Sequence, residues 1–194
     1  MRRSWVPLPI PGASEALGCS NHWSTKISNT THGIATRDLR VDTPDGRLHV
    51  RTWQPPPSPS KAPIVLFHDS LGSVKLWRGF PSALCARTGR TVIAYDRLGF
   101  GESDANPHAL TVNFIAQEIQ AGFEPLRAQL GFERCVLFGH SVGGGMAVNI
   151  AAKHPEACVA LITESAQVFL EDRTVHGIEA ARDLFKDPEQ VARL

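Results

Sequence analysis

Four short, unbroken apolar runs constrain this chain more than any other feature. They are Ile64-Val65-Leu66-Phe67, Val92-Ile93-Ala94-Tyr95, Cys135-Val136-Leu137-Phe138 and Cys158-Val159-Ala160-Leu161-Ile162. A strand that is apolar at every position must be covered on both faces. Helical patterns separate the runs. Residues 74–88 carry Trp77, Phe80 and Leu84 and end at Gly89. Residues 111–130 carry a stripe of Phe114, Ile115, Ile119, Phe123, Leu126 and Leu130, with Thr111 as the expected N-cap. Residues 142–153 form a third such stretch, stopped by His154-Pro155. Strands alternating with helices predict an α/β fold, a mostly parallel sheet with helices on both faces.

The preceding segment has a different texture. Leu39 and Val41 alternate with polar residues, Thr43-Pro44-Asp45-Gly46 makes a turn, and Leu48, Val50 and Thr52 alternate with His49 and Arg51. This predicts an antiparallel N-terminal hairpin. Trp53 breaks the alternation, so its face stays open. Residues 1–36 lack periodicity and read as a disordered or extended tail; 37–167 form the core; 168–194 are charged and helical in pattern, with no further strand.

Composition excludes several classes. A net charge of +1 without a Lys/Arg block gives no case for nucleic acid or an anionic membrane. No apolar run approaches the ~18 residues of a membrane span. Ala16-Leu17-Gly18-Cys19 has the look of a lipoprotein cleavage box but lacks an apolar stretch before it, so the expected location is cytoplasmic. The four cysteines fit neither a zinc site nor a disulfide framework; Cys135 and Cys158 read as small buried apolar residues.

Chemistry enters at Gly139-His140-Ser141-Val142-Gly143, between an apolar run and a helix. A serine on a tight strand-to-helix turn has its hydroxyl pushed outward. Small residues beside it let backbone approach closely, and the helix N-terminus presents N–H groups to developing negative charge. Two further segments lie in order before it: His68-Asp69-Ser70-Leu71-Gly72, after the first run, and Asp96-Arg97-Leu98-Gly99-Phe100-Gly101-Glu102-Ser103, after the second. Together the three resemble the α/β-hydrolase fold superfamily over about residues 37–170.

The resemblance implies a nucleophile at Ser141, with the backbone N–H groups of Val142 and Ser70 as the oxyanion hole. It puts His68, Asp69 and His140 beside the substrate, with His68 shaping its loop rather than titrating. Asp96 through Ser103 are expected to brace the site. Asp69 stands where the family commonly has glycine, so its carboxylate should point away from the oxyanion. The expected substrate is a small ester or similar acyl compound, and neither metal nor organic cofactor is implied.

A serine nucleophile needs a base and an orienting acid. Of the eight histidines, only His154 and His176 follow Ser141. Both read as surface residues, although His176 lies in the expected cap and could overhang the site. Glu164 ends the strand after the nucleophile strand and is either the acid, as in some haloalkane dehalogenases, or a polar brace at the cap. Ser141 argues against the Asp-nucleophile chemistry of those enzymes. The resemblance therefore implies a partial fold lacking its last strands, with a bare apolar edge at 158–162 open to self-association. Val168, Phe169, Leu170, Ile178 and Phe185 would line an apolar pocket. Two readings stay open: a serine hydrolase in its longer form, or an inactive fragment that at most binds a small molecule or a partner.

Overall fold

The computed structural model describes residues 27–31, 33–57 and 61–167, with isolated positions between 172 and 179. Seven strands form one sheet: β1 (Ile27–Thr31), β2 (Ile34–Thr43), β3 (Gly46–Gln54), β4 (Ile64–Phe67), β5 (Val92–Tyr95), β6 (Cys135–His140) and β7 (Cys158–Glu164). Their order is β1-β2-β3-β5-β4-β6-β7. The pairs among β1, β2, β3 and β5 are antiparallel; β5, β4, β6 and β7 run parallel.

The continuous apolar runs behave as their composition requires. Val65, Phe67, Ile93, Tyr95, Cys135 and Leu137 face one core, with Met146, Ala147 and Ile150 from α4 (Val142–Lys153). Ile64, Leu66, Val92, Ala94 and Val136 face the other, with Cys85 from α1 (Phe80–Thr88). Trp53 joins this second core, on the side opposite Leu48 and Val50, which settles its face. β7 is the exception. Val159, Leu161 and Ile162 are 39%, 40% and 44% exposed, and among the described residues no strand pairs with its outer side.

Three local expectations need correction. Order begins before Arg37: β1 pairs with β2, and β2 starts at Ile34, buried beside Trp53. The polar β1 carries no apolar period to betray it; Gly33, at φ 77°, makes the turn between the two strands. The helix expected over 74–88 is split into a 3₁₀ turn, Val74–Trp77, and α1. Pro81 sits in the first turn of α1, where its missing N–H costs nothing. The helix expected over 111–130 begins at Phe114 with Asn113 as N-cap; Thr111 instead closes a small turn through Asn113 N–H. It runs as α2 (Phe114–Glu118), a π turn (Ile119–Phe123) and α3 (Glu124–Leu130). Pro125 cannot donate to the carbonyl four residues back, and the wider turn directly precedes it.

This topology positions a crevice. The chain leaves β4 toward α1 on one face, while from the adjacent β6 it enters α4 on the other. Ligands in open α/β sheets bind outside the carboxyl ends of strands that diverge in this way. Those ends here carry His68–Ser73 and Ser141.

Candidate active site

Ser141 caps α4 with φ 54° and ψ −120°, a backbone that L-residues avoid. The turn is pinned from outside. Ser141 N–H donates to Glu164 C=O at 2.9 Å, and Ser141 C=O accepts from Gly144 N–H at 2.9 Å and Gln167 N–H at 3.1 Å. Its hydroxyl makes no hydrogen bond among the described residues. Gly143 lies against the end of β4, where a Cβ would overlap the Phe67 and His68 carbonyl oxygens. Gly139 is held against Gly143 in the same way. Strain at Ser141 is thus stored in a tightly packed turn. Ser141→Gly should relieve it and raise folding stability by about 1 kcal/mol, read by urea denaturation.

Val142 occupies the first position of α4, where an N–H has no acceptor within the helix. The facing loop is built around His68. Its Nδ1 donates to Asp69 C=O at 2.8 Å, and its Nε2 accepts from Arg97 N–H at 3.2 Å and Arg97 Nε at 3.3 Å. A carbonyl can only accept, so the proton is on Nδ1. Burial, and then the Arg97 charge, holds the imidazole pKa down at about 4, so His68 is neutral at physiological pH. Arg97 Nη2 donates to Asp69 C=O at 2.8 Å and Ser70 C=O at 3.3 Å, and its guanidinium lies 4.3 Å over the Phe100 ring. Asp69 Oδ1 accepts from Leu71 N–H at 3.0 Å, turning its carboxylate onto its own loop. Ser70 is exposed at the loop tip.

His68, Asp69 and His140 line one cavity of about 180 Å³, with Gly72, Leu76 and Trp77. Glu164 is exposed at its sheet edge. Its carboxylate pairs with His140 Nδ1 and accepts from Ser165 Oγ at 2.7 Å. The Ser165 hydroxyl, then His140, holds that carboxyl below its usual range. His154 lies beyond the far end of α4 between Glu124 (3.3 Å) and Glu156 (3.4 Å). His176 is exposed. Val168, Phe169, Leu170, Ile178 and Phe185 lie outside the described residues.

Beneath the site is a charge cluster of which the sequence announces one member, Asp96, as a brace. Asp96, 2% exposed, accepts from Val74 N–H at 2.5 Å and Glu102 N–H at 2.9 Å, and pairs with His49 Nδ1 at 2.8 Å. His49 Nε2 meets Asp38 Oδ1 at 3.1 Å, and Asp38 is held by Arg51 Nε at 2.6 Å. Burial alone would depress the His49 pKa, but hydrogen bonds to Asp96 and Asp38 outweigh it and the net shift is upward. Burial likewise opposes ionisation of Asp96 and Asp38; hydrogen bonds, from His49 to Asp96 and from Arg51 to Asp38 first, bring both below their usual range. The cluster ties the loop after β5 to β3 and to the 3₁₀ turn after β4. For His49, the partner of Asp96, the sequence offers only a histidine on the polar side of an alternating strand.

A sequence profile of the alpha/beta hydrolase fold matches residues 62–193. The chain is 30% identical over 161 residues to the sn-1-specific diacylglycerol lipase ABHD11 of Xenopus laevis, covering 83% of this chain and 46% of that protein. It is 33% identical over 103 residues to the 1-acylglycerol-3-phosphate O-acyltransferase ABHD5 of Sus scrofa, covering 53% of this chain and 29% of that protein. The chain thus spans less than half the length of these relatives. Among solved structures, proline iminopeptidase from Mycobacterium smegmatis matches with a TM-score of 0.60 and 28% identity, over 78% of this chain and 50% of that one. Among the described residues no helix is long and apolar enough to cross a membrane.

Proposed function

Since the chain belongs to the α/β-hydrolase-fold family, we propose that it carries the nucleophile and oxyanion half of a serine hydrolase acting on a carboxylic ester or similar acyl substrate. One observation carries the reading: Ser141 is held in strained backbone at the crevice between β4 and β6, with a hydroxyl that makes no hydrogen bond among the described residues. In this reading Ser141 Oγ attacks the acyl carbonyl. The N–H groups of Val142 and Ser70 hold the oxygen that becomes negative. The carbonyl re-forms as the alcohol leaves with a proton, and water then releases the acid from the acyl-serine. Names among the relatives support acyl chemistry: a lipase and an acyltransferase differ only in whether water or an alcohol receives the acyl group.

A second reading has its own support. Among the described residues no histidine hydrogen-bonds to the Ser141 hydroxyl. His68 uses both ring nitrogens in its loop, and His140 pairs with Glu164. That pairing favours Glu164 as a brace over Glu164 as the acid. On this reading the 194-residue chain binds acyl compounds without turning them over.

A fluorophosphonate probe separates the two. The hydrolase reading expects covalent labelling that Ser141→Ala abolishes. Folded protein that stays unlabelled sinks that reading for this chain and leaves the binding one. Labelling that survives Ser141→Ala means another nucleophile.

A further inference from the structure

A second and larger cleft, about 550 Å³, lies between the loop after β5 and α2. The acyl chemistry above does not use it. Its walls include Leu98, Phe100, Leu110 and Phe114, and it is of a size that holds small organic ligands. Arg97 and Glu118 also line it and are only 6% and 7% exposed, so they form its floor. Each keeps one polar atom free. Arg97 commits Nε and Nη2 to the loop after β4, and among the described residues Nη1 has no partner. Glu118 Oε1 accepts from Tyr95 OH at 2.6 Å, and Oε2 has no partner among them. Burial pushes the Glu118 carboxyl up to about 7, against the lowering influence of Tyr95 and Arg97. The π turn begins at the next residue, a feature common at functional sites.

We propose that this cleft binds a monocarboxylic acid with an apolar body, its carboxylate held by Arg97 Nη1 and by the Glu118 carboxyl on the cleft floor. A guanidinium and a neutral carboxyl both donate, which suits an anion with acceptor oxygens. A cationic head would meet Arg97 instead. The apolar body lies along Leu98, Phe100 and Phe114. The other titratable groups at the cleft are Asp45 and His108, paired with each other at 3.0 Å and exposed at its rim; Gln117 and Gln120 carry no charge. As pH rises through about 7, Glu118 ionises and opposes the bound carboxylate, so affinity falls by about tenfold per pH unit above that point. The proposal does not depend on Ser141 being reactive.

The test is calorimetric titration of octanoate into the 194-residue chain carrying Ser141→Ala, so that reaction at the serine plays no part. Saturable one-to-one binding is expected at pH 6, with about tenfold weaker binding at pH 8. Glu118→Gln should remove that pH difference, because the amide donates at both values. Leu110→Trp, at a wall residue 65% exposed, should block the cleft and weaken binding about tenfold without disturbing the fold. No octanoate binding by folded protein at pH 6 overturns the proposal. So does an unchanged pH dependence in folded Glu118→Gln. Unchanged affinity in Leu110→Trp overturns it too, by placing the acid elsewhere, and this arm decides alone if Glu118→Gln does not fold.

Discussion

Gly143→Ala is expected to cost about 3 kcal/mol or more in folding stability, or to abolish soluble folding altogether. The added methyl would lie 2.6 Å from the His68 carbonyl oxygen and closer still to that of Phe67. Neither neighbour is a flexible side chain. Phe67 pairs in the ladder with Gly139, and His68 is tied to Arg97 on its other side. Relief therefore requires α4 to move off β4, which would open the core around Met146 and Ile150. Gly79→Ala is the matched control. At Gly79 the backbone is right-handed and a Cβ meets nothing within 4 Å, so its effect should stay within about 0.5 kcal/mol of zero or favour the fold. Urea midpoints of the two variants measure the difference. Equal midpoints would mean that the turn at Ser141 is not packed against β4 as described.

The same contact explains why the strained turn at Ser141 was legible in the sequence. A serine between two glycines after an apolar run is a local statement, and its consequences are local: a strained turn, a helix N-terminus, a close backbone approach. The central strands were legible for a related reason. Ile64–Phe67 and Val92–Tyr95 are apolar at every position because both faces are covered, and no distant knowledge is needed to see it. What stayed hidden is non-local. His49 reads as a solvent-facing residue on an alternating strand, yet the loop carrying Asp96, 47 residues later, folds over it. Glu118 reads as a polar helix position, while its hydroxyl partner Tyr95 stands 23 residues earlier on a strand. β1 has no apolar face to announce it. The stripe from Phe114 to Leu130 reads as one helix, and the π turn at Ile119–Phe123 leaves no mark on its apolar spacing.

Asp96→Asn is expected to cost about 3–5 kcal/mol, the range for breaking a buried ion pair from one side. The carboxylate serves three donors: His49 Nδ1, Val74 N–H and Glu102 N–H. An asparagine offers one acceptor oxygen and turns an N–H₂ group toward the others, so at least one buried donor is orphaned. The loss should show a characteristic pH dependence. The Asp96 and Asp38 pKa values are lowered by folding, so their contribution is complete above the ordinary value of 3.8 and is lost as pH falls through the depressed ones. The His49 pKa is raised, so its contribution is complete below the ordinary 6.5 and is lost as pH rises through the elevated one. The cluster therefore stabilises most between about pH 4 and 6.5 and fades on both sides. Urea denaturation from pH 4 to 9 should find stability of the unmodified chain declining above pH 6.5, with a shallower decline in Asp96→Asn. His49→Gln separates the two limbs: it should remove the alkaline decline and keep the acid one, since Asp96 retains Val74 and Glu102 and Asp38 retains Arg51. An alkaline decline that persists in His49→Gln would assign the titration to another group. Because Val74 follows directly on the loop bearing Ser70, the same variants should also slow fluorophosphonate labelling at Ser141 if that loop supplies the oxyanion donor; labelling at the unmodified rate would detach the cluster from the chemistry and leave it a purely structural clamp.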